Sequence, residues 1–359
     1  MSADQVQPIL DDPERVQAVD RKNMLRQINE FPEQCETALA IARSFEYDYI
    51  EFEPAVVFMT GTGDSSLAAD MAAAAVSDQI KAPVVSDHGG RLPSYIGETA
   101  LVVVVDYTGN SRSALQSYKD AKAANAQLVC VAGGGKLAEA AAKDGTRIVR
   151  IPAGQPPRMA VGYMFVQLLG IMAQYRLTVG AEDMVFSAIK LLKSTRESLR
   201  FEYPASRNTA KQTAEFLFGK VPVVFGAPGY RAVVAERWKI QIGANSKRPV
   251  MASLLPDAAA GEVSAWELAG DGFAEFAFVF LKDALDKMSE VGPVMDRTRH
   301  LLSDRYGILE LEMMGATTAE KLFYGLYLAD YVSYYLALLY EVDPTRTEYV
   351  TAIESKETE

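Results

Sequence analysis

The sequence has few of the residues that build metal sites and disulfides. Among 359 residues there are two histidines, His88 and His300, and two cysteines, Cys35 and Cys130. Scattered this way they lack the spacing of a zinc site, so no metal is expected, and no cofactor motif stands out. Two cysteines exclude a disulfide framework and fit a reducing cytoplasm. Cys130 lies in the apolar run QLVCVAG (127–133), where a buried thiol is expected. Long apolar runs are also missing. The run around Ala100 to Val105 is strand-sized, well short of the ~20 residues of a membrane span. The opening MSADQVQPILDDPERV is polar and acidic, without the basic start and apolar core of a signal peptide. Positive charge is in deficit, with a net charge of −11. That disfavours nucleic acid and anionic membrane as partners, since both need a basic face.

What is present is the profile of a soluble globular protein, 49% apolar and 23% charged, at a length that suits two domains. Residues 1–45 read as an N-terminal helical segment, with one helical pattern running from after Pro32 to about Ser44. Short apolar runs then alternate with amphipathic stretches. AVVFMT (55–60), APVVSD (82–87), ALVVVVDY (100–107), QLVCVAG (127–133) and RIVRIP (147–152) read as strands, with helices from about Ser65, Ser111 and Leu137. Met159 to Arg200 reads as helical, and the polar YPASRNTAKQ (203–212) as a connection between domains. The alternation resumes with strands at VPVVFG (221–226), PVMASLL (249–255), EFAFVFL (275–281) and ILELEMM (308–314). Helices are expected through Trp238, from about Met288 and, near the C-terminus, through Leu339. Apolar strands alternating with helices indicate parallel sheets covered on both faces. The fold expected is α/β: two tandem domains at 46–202 and 203–345, each a doubly wound, mainly parallel sheet flanked by helices. A C-terminal tail is expected over 346–359, with its last residues, IESKETE, frayed.

In such sheets a ligand lies beyond the carboxyl ends of the strands, at helix N-termini. Two strand-to-helix loops have the composition for this. FMTGTGDSSLAAD offers Gly61, Gly63, Asp64, Ser65 and Ser66; VVDYTGNSRSAL offers Asp106, Thr108, Gly109, Asn110 and Ser111. Glycines let the backbone approach closely, and hydroxyls with amide N–H groups can hold a phosphate. Ser66 stands where the dinucleotide fingerprint has its third glycine, and no P-loop Lys-Ser/Thr follows. Each loop alone reads equally as an ordinary turn with a helix N-cap.

The second loop, Tyr107 to Arg112, resembles the Y-S-G-N-T-E segment of sugar isomerase (SIS) domains, and the first resembles their G-x-G-G-S loop. Four further stretches narrow the resemblance to the bifunctional phosphoglucose/phosphomannose isomerases. GGKLAEAAAKDG with IPAGQPPRMAVGYMF (134–165) resembles their G-G-x-L and P-x-G-x-x-P-R-x-A-x-G-Y stretch. RWKIQIGANSK (237–247) resembles R-W-K-N-Q-I-N-E-N-A-K, LPDAAAGEVSAWE (255–267) resembles L-P-E-L-N-H-N-E-I-V-G-W-E, and ADYVSYYLALLYEVDPT (329–345) resembles the C-terminal helix. The match runs in consistent order from about Asp20 to Thr345.

The resemblance implies aldose–ketose isomerisation through an enediolate. That reaction needs a carboxylate base, an acid/base to open the ring and a cation for the oxyanion. It places the base at Ala244, the ring-opening histidine at Ala260 and the cation at Arg158. Alanine can neither accept nor donate a proton, and losing a positioned acid/base costs about 10²–10⁴-fold in rate. Glu262 and Asp257 are close in sequence to Ala260; each reads as a displaced base or as a helix-start carboxylate favoured by the dipole. His300 falls in a helical stretch and reads as a surface residue, and His88 is in a loop at a position the family does not use. Asp64 replaces a family glycine, Asp106 a serine, and Arg112 a glutamate. Two carboxylates would repel a phosphate; Arg112 would neutralise one of them, bind an anion directly, or lie exposed in a helix's first turn. The expectation is a modified pocket for a sugar phosphate or other small anion, with isomerase activity lost and a role as sensor or partner. An active isomerase with relocated groups and an assembly protein with an empty pocket are the alternatives. The resemblance further implies a homodimer through the second domain, because the family's histidine crosses a subunit boundary.

Overall fold

The computed structural model describes residues 9–45, 52–267 and 275–357. The opening residues 1–8, the expected domain start at 46 and the last two residues lie outside that set. The chain forms two compact units: Glu30–Ile189 with Tyr349–Glu359, and Met1–Asn29 with Lys190–Glu348. Both are parallel α/β units.

The first unit carries a five-stranded sheet in the order β2-β1-β3-β4-β5. Its strands are β1 (Val56–Thr60), β2 (Val84–Asp87), β3 (Ala100–Asp106), β4 (Gln127–Ala132) and β5 (Arg147–Arg150), all paired parallel. Strand β3 is buried at every position, which is why its sequence does not alternate: both faces are covered. Tyr118, Leu137 and Ala141 pack on one face, against Phe58, Val102, Val104 and Cys130. The helix Val161–Gln174, almost wholly buried, lies against the helices Phe31–Ser44 and Asp64–Val76. Gly162 is needed there, because a Cβ would meet Gln34, Phe31 and Cys35 at 2.6–3.2 Å. Both cysteines are buried free thiols; loss of water pushes Cys130 up to about 12.

The second unit has a four-stranded parallel sheet, order β7-β6-β8-β9. These strands are β6 (Val221–Gly226), β7 (Met251–Leu254), β8 (Phe276–Lys282) and β9 (Gly307–Glu312). Phe225, Phe278, Phe280 and Trp266 form its aromatic core. The helix Thr318–Leu339 is long and apolar enough to pass for a membrane span, contrary to the expectation from apolar runs; 94% of that window is buried inside the protein. Its apolar character is that of a core helix carrying tyrosines. Tyr331 donates to Asn29 Oδ1 at 2.5 Å and Tyr334 to Asp20 Oδ2 at 3.1 Å.

Three expectations need correction. The polar stretch 203–212 is not a linker. Asn208 is fully buried, caps the helix Thr209–Leu217 and donates to the Leu199 carbonyl. Lys211 is also fully buried, 2.7 Å from both Asp11 Oδ1 and the Phe201 carbonyl. Polar residues paired in a core look, in sequence, like polar residues facing water. For the same reason the residues up to Asn29 do not form a segment with 30–45; they supply Asp11, Asp20 and Asn29 to the unit that resumes at Lys190. The tail is not frayed through the described residues: Glu348–Glu357 is helical.

Candidate functional site

In the first sheet the strand order reverses between β1 and β3, so the loops after these two strands flank the crevice where open α/β sheets bind ligands. They are the two loops singled out by composition. Gly61 is buried, and a Cβ there would stand 2.8 Å from the Val105 carbonyl oxygen, so glycine allows the loops to approach. Gly63, at φ 57°, starts the helix Asp64–Val76. Gly109, at φ 70°, faces the Gly134 carbonyl oxygen, which any Cβ would overlap.

The polar side chains of these loops are largely engaged with one another. Ser65 is buried; its Oγ accepts from the Tyr107 amide at 3.3 Å and sits 3.4 Å from Met164 Sδ. Ser66 donates to the Gly63 carbonyl. Asp106, 7% exposed, turns back into its own loop. Its Oδ1 accepts from the Thr108 amide at 3.2 Å and the Thr108 hydroxyl at 3.1 Å, and its Oδ2 accepts from the Ser111 amide at 2.8 Å. Ser111 caps the helix Arg112–Ala123 through the Ala114 amide. Asn110 accepts from the Lys136 amide and donates to the Thr108 carbonyl. Arg112 is exposed and makes no ion pair among the described residues, so of its readings the structure has the first-turn surface residue. Asp64 is the first residue of its helix. Arg158 is buried in the turn Pro157–Met159, which the helix Asp64–Val76 touches.

Tyr107, named in the sequence only as the start of the second loop's resemblance, also shapes the site. Its hydroxyl accepts from the Gln155 amide at 3.0 Å, tying the end of β3 to the segment that leads to Arg158. Burial raises the phenol above its ordinary value, partly opposed by that hydrogen bond. His88 is exposed and pairs with Asp70 at 3.0 Å.

The remaining candidates lie in the second unit. Ala244 sits in a π-helical turn, Ile242–Ser246, that ends the helix Tyr230–Gln241. Such turns frequently mark functional sites. A buried network supports it. Arg237 donates twice to Asp330 at 2.9 and 3.0 Å, Gln241 donates to Asp330 at 2.5 Å, and Asn245 donates to Ser333 at 2.9 Å. Lys247 closes the turn on the Ala244 carbonyl. Ala244 itself is half-buried, and the space around Gly243 is open. Ala260 is exposed at the end of the turn Asp257–Ala260. Glu262 is exposed and accepts from the Ser253 hydroxyl at 2.5 Å; its place at the start of the turn Glu262–Trp266 fits a helix-start carboxylate.

The second sheet also reverses order, between β6 and β8. Just past β8, Asp283 accepts from the Leu285 amide at 2.9 Å, from Lys321 Nζ at 2.7 Å and from the Tyr230 hydroxyl. Burial alone would raise this carboxyl, but the Lys321 and Tyr230 hydrogen bonds outweigh it and hold it below its usual range. Each sheet thus has an aspartate at the carboxyl end of its second central strand. The repeat is visible in VVVVDYT and FVFLKDA, though not as a site.

The family model for the bacterial phospho-glucose isomerase C-terminal SIS domain matches residues 206–356. A bifunctional phosphoglucose/phosphomannose isomerase from Caldicellulosiruptor bescii is 32% identical over 335 residues, 93% of this chain and 98% of the relative. One from Aquifex aeolicus is 29% identical over 278 residues, 76% of this chain and 80% of the relative. Among solved structures, a glucose-6-phosphate isomerase-like protein from Thermus thermophilus superposes with a TM-score of 0.63 at 20% identity, covering 96% of this chain and 98% of the other. The C-terminal domain of glucosamine-fructose-6-phosphate aminotransferase from Francisella tularensis gives 0.66 at 13% identity, covering 90% and 98%. These last two likenesses are likenesses of fold.

Proposed function

Because this chain belongs to the bifunctional phosphoglucose/phosphomannose isomerase family, we propose that it is a non-isomerising member. In this reading it binds a sugar phosphate or related carbohydrate anion and acts as a sensor or partner in sugar-phosphate metabolism. The observation that carries the reading is the Ala244 turn. The Arg237–Asp330–Gln241 network and the Asn245–Ser333 bond hold that turn from below, yet a methyl group stands where the resemblance requires a proton acceptor. Ala260 gives the ring-opening position the same inert side chain. Arg158 supports retained ligand binding over an empty scaffold. The reading places the chain in the cytoplasm as a homodimer, which sedimentation or light scattering tests directly.

A thermal-shift panel of hexose phosphates together with a turnover assay tests the function. The expected result is a rise in melting temperature at millimolar ligand with no interconversion of glucose 6-phosphate and fructose 6-phosphate. Turnover above roughly 1 s⁻¹, an ordinary enzyme rate, would refute the loss of activity and point to relocated groups such as Glu262. The double variant Ala244→Glu, Ala260→His is expected to gain measurable turnover, since it returns a base to a turn whose support is in place and a ring-opening group to the end of the turn Asp257–Ala260.

A further inference from the structure

We propose that Asp106 is a specificity-determining residue: it occupies the anion position of the loop after β3 with its own carboxylate, and so weakens the binding of phosphate esters. The inference rests on the reading that this end of the first sheet is the ligand end.

The loop joins a central strand to the helix Arg112–Ala123 at the point where strand order reverses. Amide N–H groups at such a place attract an anion. Here they already have one. The Thr108 amide, the Thr108 hydroxyl and the Ser111 amide all donate to Asp106, at 3.2, 3.1 and 2.8 Å. The neighbouring donors are committed as well. The Asn110 amide donates to Thr108 Oγ1, the Lys136 amide to Asn110 Oδ1 and the Ala114 amide to Ser111 Oγ. A phosphate oxygen reaching for these groups has to displace the carboxylate first.

Charge adds to the competition for donors. In the other unit Asp283 has the corresponding position, and Lys321 balances it at 2.7 Å. Asp106 has no cation within ion-pair distance among the described residues, and the adjacent Arg112 faces solvent. A unit charge ~4 Å from a phosphate oxygen, at an effective dielectric near 20, would lower affinity roughly a thousandfold before solvent and salt screen it. The interaction is selective: a neutral hydroxyl placed at the same spot suffers no such repulsion.

The test is isothermal titration of the full chain, wild type against Asp106→Ser, with glucose 6-phosphate, inorganic phosphate and unphosphorylated glucose. Serine cannot span the Thr108 and Ser111 amides at once and carries no charge. The expected result is at least a tenfold gain in affinity for glucose 6-phosphate and for inorganic phosphate, with glucose unchanged. Equal affinities for wild type and variant overturn the proposal, as does a gain shared equally by glucose, or a variant that binds no phosphate at 10 mM, on the order of the weakest useful affinities. Should Asp106→Ser fail to fold, Asp106→Asn, which keeps the size and removes the charge, is judged by the same criterion. The two readings separate in the wild-type arm. If the wild type binds no sugar phosphate but the variant does, Asp106 is confirmed in its role and sugar-phosphate binding by the native chain is lost. If the wild type binds and the variant gains nothing, the opposite holds.

Discussion

Arg237 and Asp330 face each other with essentially no solvent exposure, 0% and 2% at their side chains. Removing one member of a buried pair leaves the other charge unbalanced, which costs about 3–5 kcal/mol. Asp330→Ala is therefore expected to lower stability by that amount in denaturant titration, and to loosen the turn that carries Ala244. Asp283 supplies a pH-dependent term. Its carboxyl is held below the usual range, so its contribution is complete above the unfolded value of ~3.9 and is lost as pH falls through the lower folded value. In Lys321→Met the main depressing partner is gone, so this carboxyl no longer loses stabilising charge on acidification. Unfolding free energy from denaturant titration followed by circular dichroism is expected to fall less steeply between neutral pH and about pH 3 than in the wild type; an equal fall would contradict this assignment. The alanines at 244 and 260 draw attention in the sequence only through the resemblance, because the residues around them keep a recognisable spacing. The role of Asp106 could not. Whether an aspartate repels a ligand from beside a loop or fills the loop depends on which amides point at it, and hydrogen-bond direction has no signature in composition.

The strands were legible for a simple reason. Buried on both faces, they carry unbroken β-branched runs such as ALVVVVD, and these were placed to within one or two residues. Helix starts were legible where a cap residue marks them, as Ser111 does. The stretch 203–212 misled because its polarity serves the interior: Asn208 satisfies the end of one helix and the start of the next. Glycines after the strands are better guides than polarity. Gly109 has both a left-handed φ of 70° and the Gly134 carbonyl oxygen where a Cβ would go. Gly109→Ala is expected to cost about 1–3 kcal/mol in backbone strain alone. Further loss comes from parting the loop from Gly134 and Gly135, and should show as a lower melting temperature and, in titrations, as weaker ligand binding.

The tandem of two parallel α/β units was readable from the alternation of strands and helices; the way the chain is divided between them was not. Periodicity reports neighbours along the chain, whereas Asp11, Asp20 and Asn29 find their partners beyond residue 190, at Lys211, Tyr334 and Tyr331. A fragment cut at the apparent boundary, residues 203–359, is therefore expected to lack cooperative unfolding. It leaves Lys211 without Asp11, and Tyr331 and Tyr334 without Asn29 and Asp20, in a core that buries all three. Adding residues 1–29 and 190–202 through a short linker is expected to restore a cooperative transition. If the bare fragment unfolds with the same midpoint as the linked one, the discontinuous unit is not a folding unit.

That arrangement also sets a timetable. About 160 residues separate Asn29 from Lys190, and a ribosome adds roughly 5–20 residues per second. The opening helices thus leave the ribosome some ten to thirty seconds, on this order-of-magnitude rate, before the first of their partners exists. Throughout that interval the intervening unit can close its own sheet, since β1 to β5 all pair with one another. Birth order and folding order therefore differ, and a chaperone that grips nascent chains would find a long-lived target in the helices up to Asn29, which wait for the unit that resumes at Lys190.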